Sequence, residues 1–165
     1  SSAEVAALCA ACEAVSPVIL PLVVFLANTG CRKGEGLALR TENVDLGRGI
    51  IRIWPTEEWQ PKDGGRGEVP IGDALQPWLE GLGGEHVFEW PRTKSRWACW
   101  PRRAFDRARK KAKLVGGPHP LRHTFASHFL NTTPDLARVM GHSEPGVTQL
   151  YATYYPSTWS ALGTR

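Results

Sequence analysis

The C-terminal third of the sequence combines side chains that a phosphoryl-transfer reaction needs. His119 and Arg122 lie three positions apart, and Tyr151 comes nine residues after His142. An arginine can hold a phosphate through two parallel hydrogen bonds, and a histidine can move a proton near neutral pH. A tyrosine can attack phosphorus and stay bonded to it, provided that nearby positive charge helps it to ionise. Side chains of these types are the ones that transfer of a phosphodiester to a tyrosine requires.

Two cations nearer the N terminus would complete such a site. Arg32 follows a turn signal at residues 28–30, and Lys62 lies near the tip of a predicted hairpin. Arg32 and Arg122 would stabilise the negative charge that builds up on the non-bridging oxygens in the transition state. Lys62 or His119 could donate the proton that the leaving sugar oxygen needs. Because no carboxylate cluster suited to Mg²⁺ lies near these motifs, we expect neither a metal nor a cofactor.

Each of these residues also has an ordinary structural explanation. An arginine at a helix end is usually a surface residue, and three tyrosines near the C terminus could form one aromatic face of a packed helix: Tyr151, Tyr154 and Tyr155. His119 and His123 have a spacing that could bind zinc, but Pro120 stands where the zinc-protease pattern needs a glutamate. Only the combination favours chemistry.

Positive charge is concentrated in one segment. The chain has 165 residues, 42% of them apolar, and a formal charge of +4. Ten of its twenty Lys and Arg residues lie between residues 92 and 113, where Asp106 is the only acid and aromatic side chains are interspersed. Such a run is often a solvated helix face, but its single sign favours contact with a nucleic-acid backbone. The predicted DNA contacts are Lys94, Arg96, Arg102 and Arg103.

The cysteines and apolar runs exclude other classes of protein. Cys9 and Cys12 are three residues apart in an Ala-rich helical pattern without a second pair, so core packing is favoured over a metal site. Nothing suggests a disulfide framework, which favours a reducing cytoplasm. The apolar run at 18–27 is about half the length that spans a bilayer. The sequence starts at Ser1 rather than Met, which suggests part of a longer protein.

The hydrophobic pattern predicts a single, mostly helical α+β domain over residues 1–165, with an antiparallel sheet of two or three strands. The predicted helices cover 2–15, 17–27, 73–82, 97–113, 121–130, 134–140 and 145–155, and Ser2 is the expected cap of the first. Apolar spacing between Leu37 and Leu46 predicts a further short helix. The predicted strands cover 49–54, 57–62 and 68–71, with Gly30 in a left-handed turn.

Taken together, these motifs resemble the catalytic domain of the tyrosine recombinase (phage integrase) family. Residues 29–40, which read Thr-Gly-Cys-Arg-Lys-Gly-Glu-Gly-Leu-Ala-Leu-Arg, resemble the family's first arginine box. Lys62 occupies the position of its hairpin lysine. Residues 119–128 resemble the second box, and Gly141-His142 and Tyr151 follow at the family's spacing. The resemblance covers nearly the whole chain.

The resemblance implies a fold and a mechanism. Tyr151 would attack the scissile phosphate, form a 3′-phosphotyrosyl bond and release a 5′-hydroxyl, while Arg32 and Arg122 clamp the phosphate oxygens. Lys62 would act as general acid and His119 as a proton-transfer partner. His142 would donate a hydrogen bond to the phosphate. A 5′-hydroxyl from another strand would then attack the ester, so strand exchange would need neither metal nor ATP.

The resemblance also implies partners. The substrate would be double-stranded DNA, without a membrane or a small-molecule substrate, and the full-length protein would assemble as a homotetramer on DNA in the cytoplasm. The family's N-terminal DNA-binding domain is expected to lie outside this sequence. Two alternatives remain open: a type IB topoisomerase that relaxes DNA, and a DNA-binding relative without catalysis.

Overall fold

The computed structural model describes residues 1–55, 60, 67–81, 83–90, 93 and 95–130, with only the backbone given for 126–130. Six α-helices and three strands lie in these segments. The helices are α1 (Ser2–Val15), α2 (Leu20–Thr29), α3 (Lys33–Leu37), α4 (Gln76–Leu79), α5 (Arg102–Lys111) and α6 (His119–Leu130). The strands are β1 (Val44–Asp45), β2 (Ile50–Ile53) and β3 (Gly67–Pro70), and short 3₁₀ turns occupy Pro17–Ile19 and Thr41–Asn43. This α+β architecture, mainly helical with a small antiparallel sheet, agrees with the prediction.

Helix α2 lies at the centre of the core. Every residue from Leu22 to Thr29 is buried, and the ring of Phe25 meets Phe88 edge to face with 5.2 Å between centroids. Helices α1, α3 and α6 pack against it. A helix that is apolar on all sides needs such complete cover.

Helix α2 starts later than the apolar pattern predicted. Because Pro21 has no N–H to donate to the carbonyl of residue 17, a continuous helix from Pro17 would lack a hydrogen bond at this point. A 3₁₀ turn at Pro17–Ile19 precedes α2 instead, and the N–H of Leu20 donates to the carbonyl of Pro17.

The start of α1 and the extent of two other helices also differ from the prediction. Ser1, rather than Ser2, caps α1, since its side chain accepts a hydrogen bond from the N–H of Glu4. Helix α4 is a single turn at Gln76–Leu79, because residues 73–75 form turns instead. Helix α6 begins two residues earlier than expected, at His119, because Pro120 is tolerated in a first turn.

Helix α5 is shorter than the basic segment that was predicted to form it. A helix from residue 97 would place Pro101 in its second turn, where the ring clashes with a preceding carbonyl. The helix begins at Arg102, and Trp97 is instead buried in the irregular segment before it. Ala104, Phe105 and Ala108 form the buried face of α5, which packs against α1.

The sheet has the strand order β1-β2-β3, with both pairs antiparallel. Strand β1 was not foreseen, because residues 44–45 were expected to belong to a short helix and its exit. The strand predicted at 57–62 lies outside the described residues except for Gln60. Across the sheet, Arg52 pairs with Asp45 at 3.3 Å and with Glu68 at 3.7 Å, which joins all three strands through one guanidinium.

Cys9 and Cys12 lie in the core, as the helical pattern predicted. Burial raises the pKa of the Cys9 thiol from an ordinary value of 9.0 to about 11, and that of Cys12 to about 12. Both thiols are therefore protonated at neutral pH. Within the described residues, none of the helices meets the length and hydrophobicity that a membrane span requires.

The buried thiols predict an alkaline loss of stability. Above an ordinary thiol pKa of 9.0, the unfolded chain loses these protons while the folded chain keeps them, so the free energy of unfolding falls as pH rises towards 11 or 12. We expect a smaller decline in Cys12→Ala than in the wild type, measured by urea unfolding at about pH 8 and about pH 10. Equal declines in the two proteins would contradict this assignment.

Candidate functional site

The turn after α2 positions the first predicted arginine. Helix α2 ends at Gly30, which has the left-handed conformation with φ 60° and donates its N–H to the carbonyl of Leu26 at 3.0 Å. The hydroxyl of Thr29 donates to the carbonyl of Phe25 at 2.8 Å and accepts the N–H of Cys31 at 3.2 Å. This reversal brings Arg32 to the start of α3.

The buried carboxylate of Glu35 binds both the backbone N–H and the guanidinium of Arg32. Glu35 is only 1% exposed. Its Oε2 accepts the backbone N–H of Arg32 at 2.7 Å, and its Oε1 lies 3.3 Å from Nη1 of the Arg32 guanidinium. A buried charge is costly unless it is paired and hydrogen-bonded, so Glu35 favours one position of Arg32. Part of the Arg32 side chain remains exposed, at 41%.

The second predicted arginine reaches the same turn from α6. Nη1 of Arg122 donates a hydrogen bond of 2.6 Å to the carbonyl oxygen of Gly30. One helical turn further on, the buried ring of Phe125 packs directly against Gly30, where a Cβ atom would overlap it. We refer to Gly30, Arg122 and Phe125 as the Gly30 junction. It places Arg122 beside the turn that carries Arg32, although the two are 90 residues apart in sequence.

A cavity opens next to this junction. Its volume is about 300 Å³, and it is lined by Cys31, Arg32, Lys33, Pro118 and His119. His119 is exposed at the start of α6, and its ring meets that of His123 edge to face with 4.6 Å between centroids. The cavity therefore combines a guanidinium, an ammonium group and an imidazole.

The structure brings together three of the six predicted catalytic residues. Arg32 and His119 line the cavity, and Arg122 is hydrogen-bonded to Gly30 in the turn that precedes Arg32. The other three, Lys62, His142 and Tyr151, lie outside the described residues. Sequence reasoning missed Lys33 and the carbonyl of Gly30. Lys33 could have been noticed, because it lies beside Arg32 within the first box, but a backbone carbonyl leaves no mark in a sequence.

The predicted DNA contacts fall on and before α5. Arg102 is exposed but lies 3.8 Å from Asp106, which also lies 3.6 Å from Arg109. The backbone of Arg96 forms an isolated antiparallel β-bridge with that of Glu89, and Lys94 lies outside the described residues. Within the part of the chain that the structure describes, four exposed cations of α5 have no ion pair: Arg103, Arg107, Lys110 and Lys111. Asp106 therefore neutralises only one side of the helix.

Comparison with known proteins identifies the family. The sequence profile of the phage integrase family matches residues 1–157. This chain belongs to the phage integrase family. The tyrosine recombinase XerD of Vibrio cholerae serotype O1 is 32% identical over 172 aligned residues, which cover 92% of this chain and 55% of that protein. The chain thus spans about half the length of this relative.

Solved structures show the same fold. The XerA recombinase superimposes with a TM-score of 0.68 and 26% identity, over 98% of this chain and 60% of that one. A lambda integrase dimer bound to a COC′ core site gives a TM-score of 0.65 at 20% identity, over 91% of this chain and 58% of that one. The predicted recombinase catalytic fold is confirmed.

The Gly30 junction predicts an unusual cost for a single methyl group. In Gly30→Ala, the alanine is strained by the left-handed backbone conformation and its Cβ atom overlaps the Phe125 ring. We therefore expect the free energy of unfolding to fall by roughly 3 kcal/mol. Gly49→Ala is the matched control, since Gly49 has φ 65° but no atom within 4 Å of the added Cβ. We expect about 1 kcal/mol there, from backbone strain alone. Equal losses in urea unfolding would mean that Phe125 does not contact Gly30.

Proposed function

We propose that this chain is the catalytic part of a site-specific tyrosine recombinase, which cleaves and rejoins DNA strands through a covalent 3′-phosphotyrosyl intermediate. The observation that carries the proposal is the Gly30 junction. It brings Arg122 to the turn that holds Arg32, next to a cavity lined by His119. Arg32 and His119 at one cavity, with Arg122 hydrogen-bonded to the adjacent turn, suit a phosphodiester whose negative charge increases during reaction.

Each residue has a defined part in the proposed reaction. The phenolic oxygen of Tyr151 attacks phosphorus, a new P–O bond forms, and the bond to the 5′ oxygen breaks. Arg32 and Arg122 bind the non-bridging oxygens, and His142 adds a hydrogen bond to the same phosphate. Lys62 donates a proton to the leaving 5′ oxygen, and His119, as the proton-transfer partner, accepts the phenolic proton of Tyr151. In the second step, a 5′-hydroxyl from another strand attacks phosphorus and releases Tyr151.

The arginines favour this chemistry for a physical reason. The guanidinium keeps its charge at any physiological pH, and its planar donors match two oxygens of one phosphate. Glu35 and the Gly30 carbonyl hold Arg32 and Arg122 before DNA arrives, so little reorganisation is needed when charge develops. Positive charge near phosphorus also favours ionisation of the Tyr151 phenol.

The proposed substrate is double-stranded DNA. The unpaired cations on α5 support this choice, as does the similarity to the fold of a lambda integrase that was solved on a core site. Lys94, Arg96, Arg102 and Arg103 are the proposed contacts to the DNA backbone, and Arg107, which is exposed one turn after Arg103 on α5, is proposed as a further one. In the full-length protein, we propose four protomers on two duplexes, since exchange between two sites needs four cleaved strands. The proposed place of action is the cytoplasm, where bacterial or phage DNA is accessible.

The nucleophile can be tested with a nicked suicide substrate, in which the released fragment diffuses away and the covalent complex accumulates. We expect Tyr151→Phe to abolish the DNA-linked species on a denaturing gel, because phenylalanine has no oxygen to bond to phosphorus. Tyr154→Phe and Tyr155→Phe are matched controls that should still form it. Covalent trapping by Tyr151→Phe would show that Tyr151 is not the nucleophile.

Strand-joining, plasmid-relaxation and DNA-binding assays on the wild-type protein separate the alternative functions. Joining of strands from two different duplexes supports a recombinase, whereas relaxation of a supercoiled plasmid without strand exchange would support a topoisomerase. Specific binding without any covalent species would support a non-catalytic DNA-binding protein.

The α5 surface can be tested through the salt dependence of DNA binding. Each lost phosphate contact reduces the slope of log K against log salt by about 0.9. We expect Arg103→Gln combined with Arg107→Gln to reduce it by about 2, while Arg48→Gln, an exposed arginine 4.0 Å from Glu68 on the sheet, leaves it unchanged. A slope that does not change in the double variant, measured by fluorescence anisotropy, would remove α5 from the DNA interface.

A further inference from the structure

Lys33 is a cation of the cavity to which no role has been assigned. It is the first residue of α3, directly after Arg32, and it lines the cavity of about 300 Å³ together with Arg32, Pro118 and His119. Its side chain is exposed, and it has no ion pair with any residue that the structure describes. The ammonium group is therefore available to an anion that enters the cavity.

The charges around the cavity make this lysine important. Arg32 lies 3.3 Å from the carboxylate of Glu35, which is almost fully buried, so the two formal charges largely cancel at longer range. Arg32 can still donate hydrogen bonds, but the pair contributes little net charge. Lys33 has no carboxylate beside it among the described residues. It therefore contributes an uncompensated positive charge to the field that draws a phosphodiester into the cavity.

The size of the cavity leaves room for more than the reacting phosphate. The cavity has a volume of about 300 Å³, which lies at the lower end of the range for ligand pockets. This volume is larger than one phosphate group needs. Arg32 and Arg122 are already the proposed ligands of the scissile phosphate. Because side chains of consecutive residues leave the backbone in different directions, Lys33 and Arg32 do not approach one oxygen from the same side.

We propose that Lys33 binds the phosphodiester next to the scissile one on the cleaved strand, and so fixes the register of that strand in the cavity. This assignment rests on the proposed function of the site. A lysine suits the task, because a flexible ammonium group forms hydrogen bonds to phosphate oxygens as a point charge, without the planar geometry of an arginine.

The first test compares charge removal with charge retention. We expect Lys33→Gln to slow covalent trapping on the suicide substrate by roughly tenfold at subsaturating DNA, since hydrogen bonds to charged groups are of this strength. It should also reduce the salt slope of binding by about 0.9. Lys33→Arg should retain most of both values. Arg48→Gln is the matched control for loss of one exposed charge away from the cavity.

The second test locates the phosphate. A set of suicide substrates carries a neutral methylphosphonate at one phosphate at a time, around the cleavage point. We expect Lys33→Gln to have no further effect when the phosphate next to the scissile one is already neutral, and its full effect when any more distant phosphate is neutral. The proposal would be overturned if Lys33→Gln kept its full effect when the phosphate next to the scissile one is neutral. It would also be overturned if the effect disappeared only when the scissile phosphate itself is neutral.

The proposed function and the role of Lys33 can be disproved separately. If wild-type protein forms no covalent complex that depends on Tyr151, then the proposed function is wrong. If the wild type forms that complex and Lys33→Gln forms it at the wild-type rate with an unchanged salt slope, then only the role of Lys33 is wrong. Circular dichroism melting of each variant confirms that a loss of rate does not reflect unfolding.

Discussion

The contact of α6 with the turn at Gly30 is the interaction on which the candidate site depends. Arg122 donates to the carbonyl oxygen of Gly30, and Phe125 occupies the space that a Cβ atom at Gly30 would need. A residue with a side chain would both strain the left-handed turn and push α6 away. Since α6 also carries His119, such a shift would displace one wall of the cavity. One glycine thus fixes the relation between the two halves of the site.

Among the described residues, two predicted catalytic arginines are bound by acceptor groups, whereas several nearby cations have no ion-pair partner. Arg32 and Arg122 each have a fixed partner, a buried carboxylate in one case and a backbone carbonyl in the other. Among the described residues, Lys33 and the four unpaired cations of α5 have no such partner: Arg103, Arg107, Lys110 and Lys111. Held groups suit a reaction that needs one geometry, whereas free ones suit electrostatic attraction of a DNA backbone with little cost in desolvation.

Most of the described helices and strands were predicted from the sequence, because the residues that start, fill and end them lie within a few positions of one another. The apolar run at 18–27, the glycine that ends α2 and the β-branched residues of β2 each act within a few positions. Two of the differences are equally local in origin: Pro21 and Pro101 interrupt the helices, so α2 and α5 begin later than the apolar and basic patterns predict. Strand β1 was missed because its two residues form a strand only by pairing with β2.

The family, the order of the motifs and the residue types that a phosphodiester reaction would require follow from the amino-acid sequence alone. Those conclusions follow from side-chain chemistry and spacing, which a chain carries whether or not it is folded. The folded structure is needed to show that Arg122 reaches the Gly30 carbonyl, that Glu35 is buried beside Arg32, and that Lys33 shares a cavity with His119. The first and third of these relations join residues that are distant in sequence, 92 positions apart in the case of Arg122 and Gly30, and no local pattern encodes them. Glu35 is only three residues from Arg32, but its burial depends on the packing of α3 against α2.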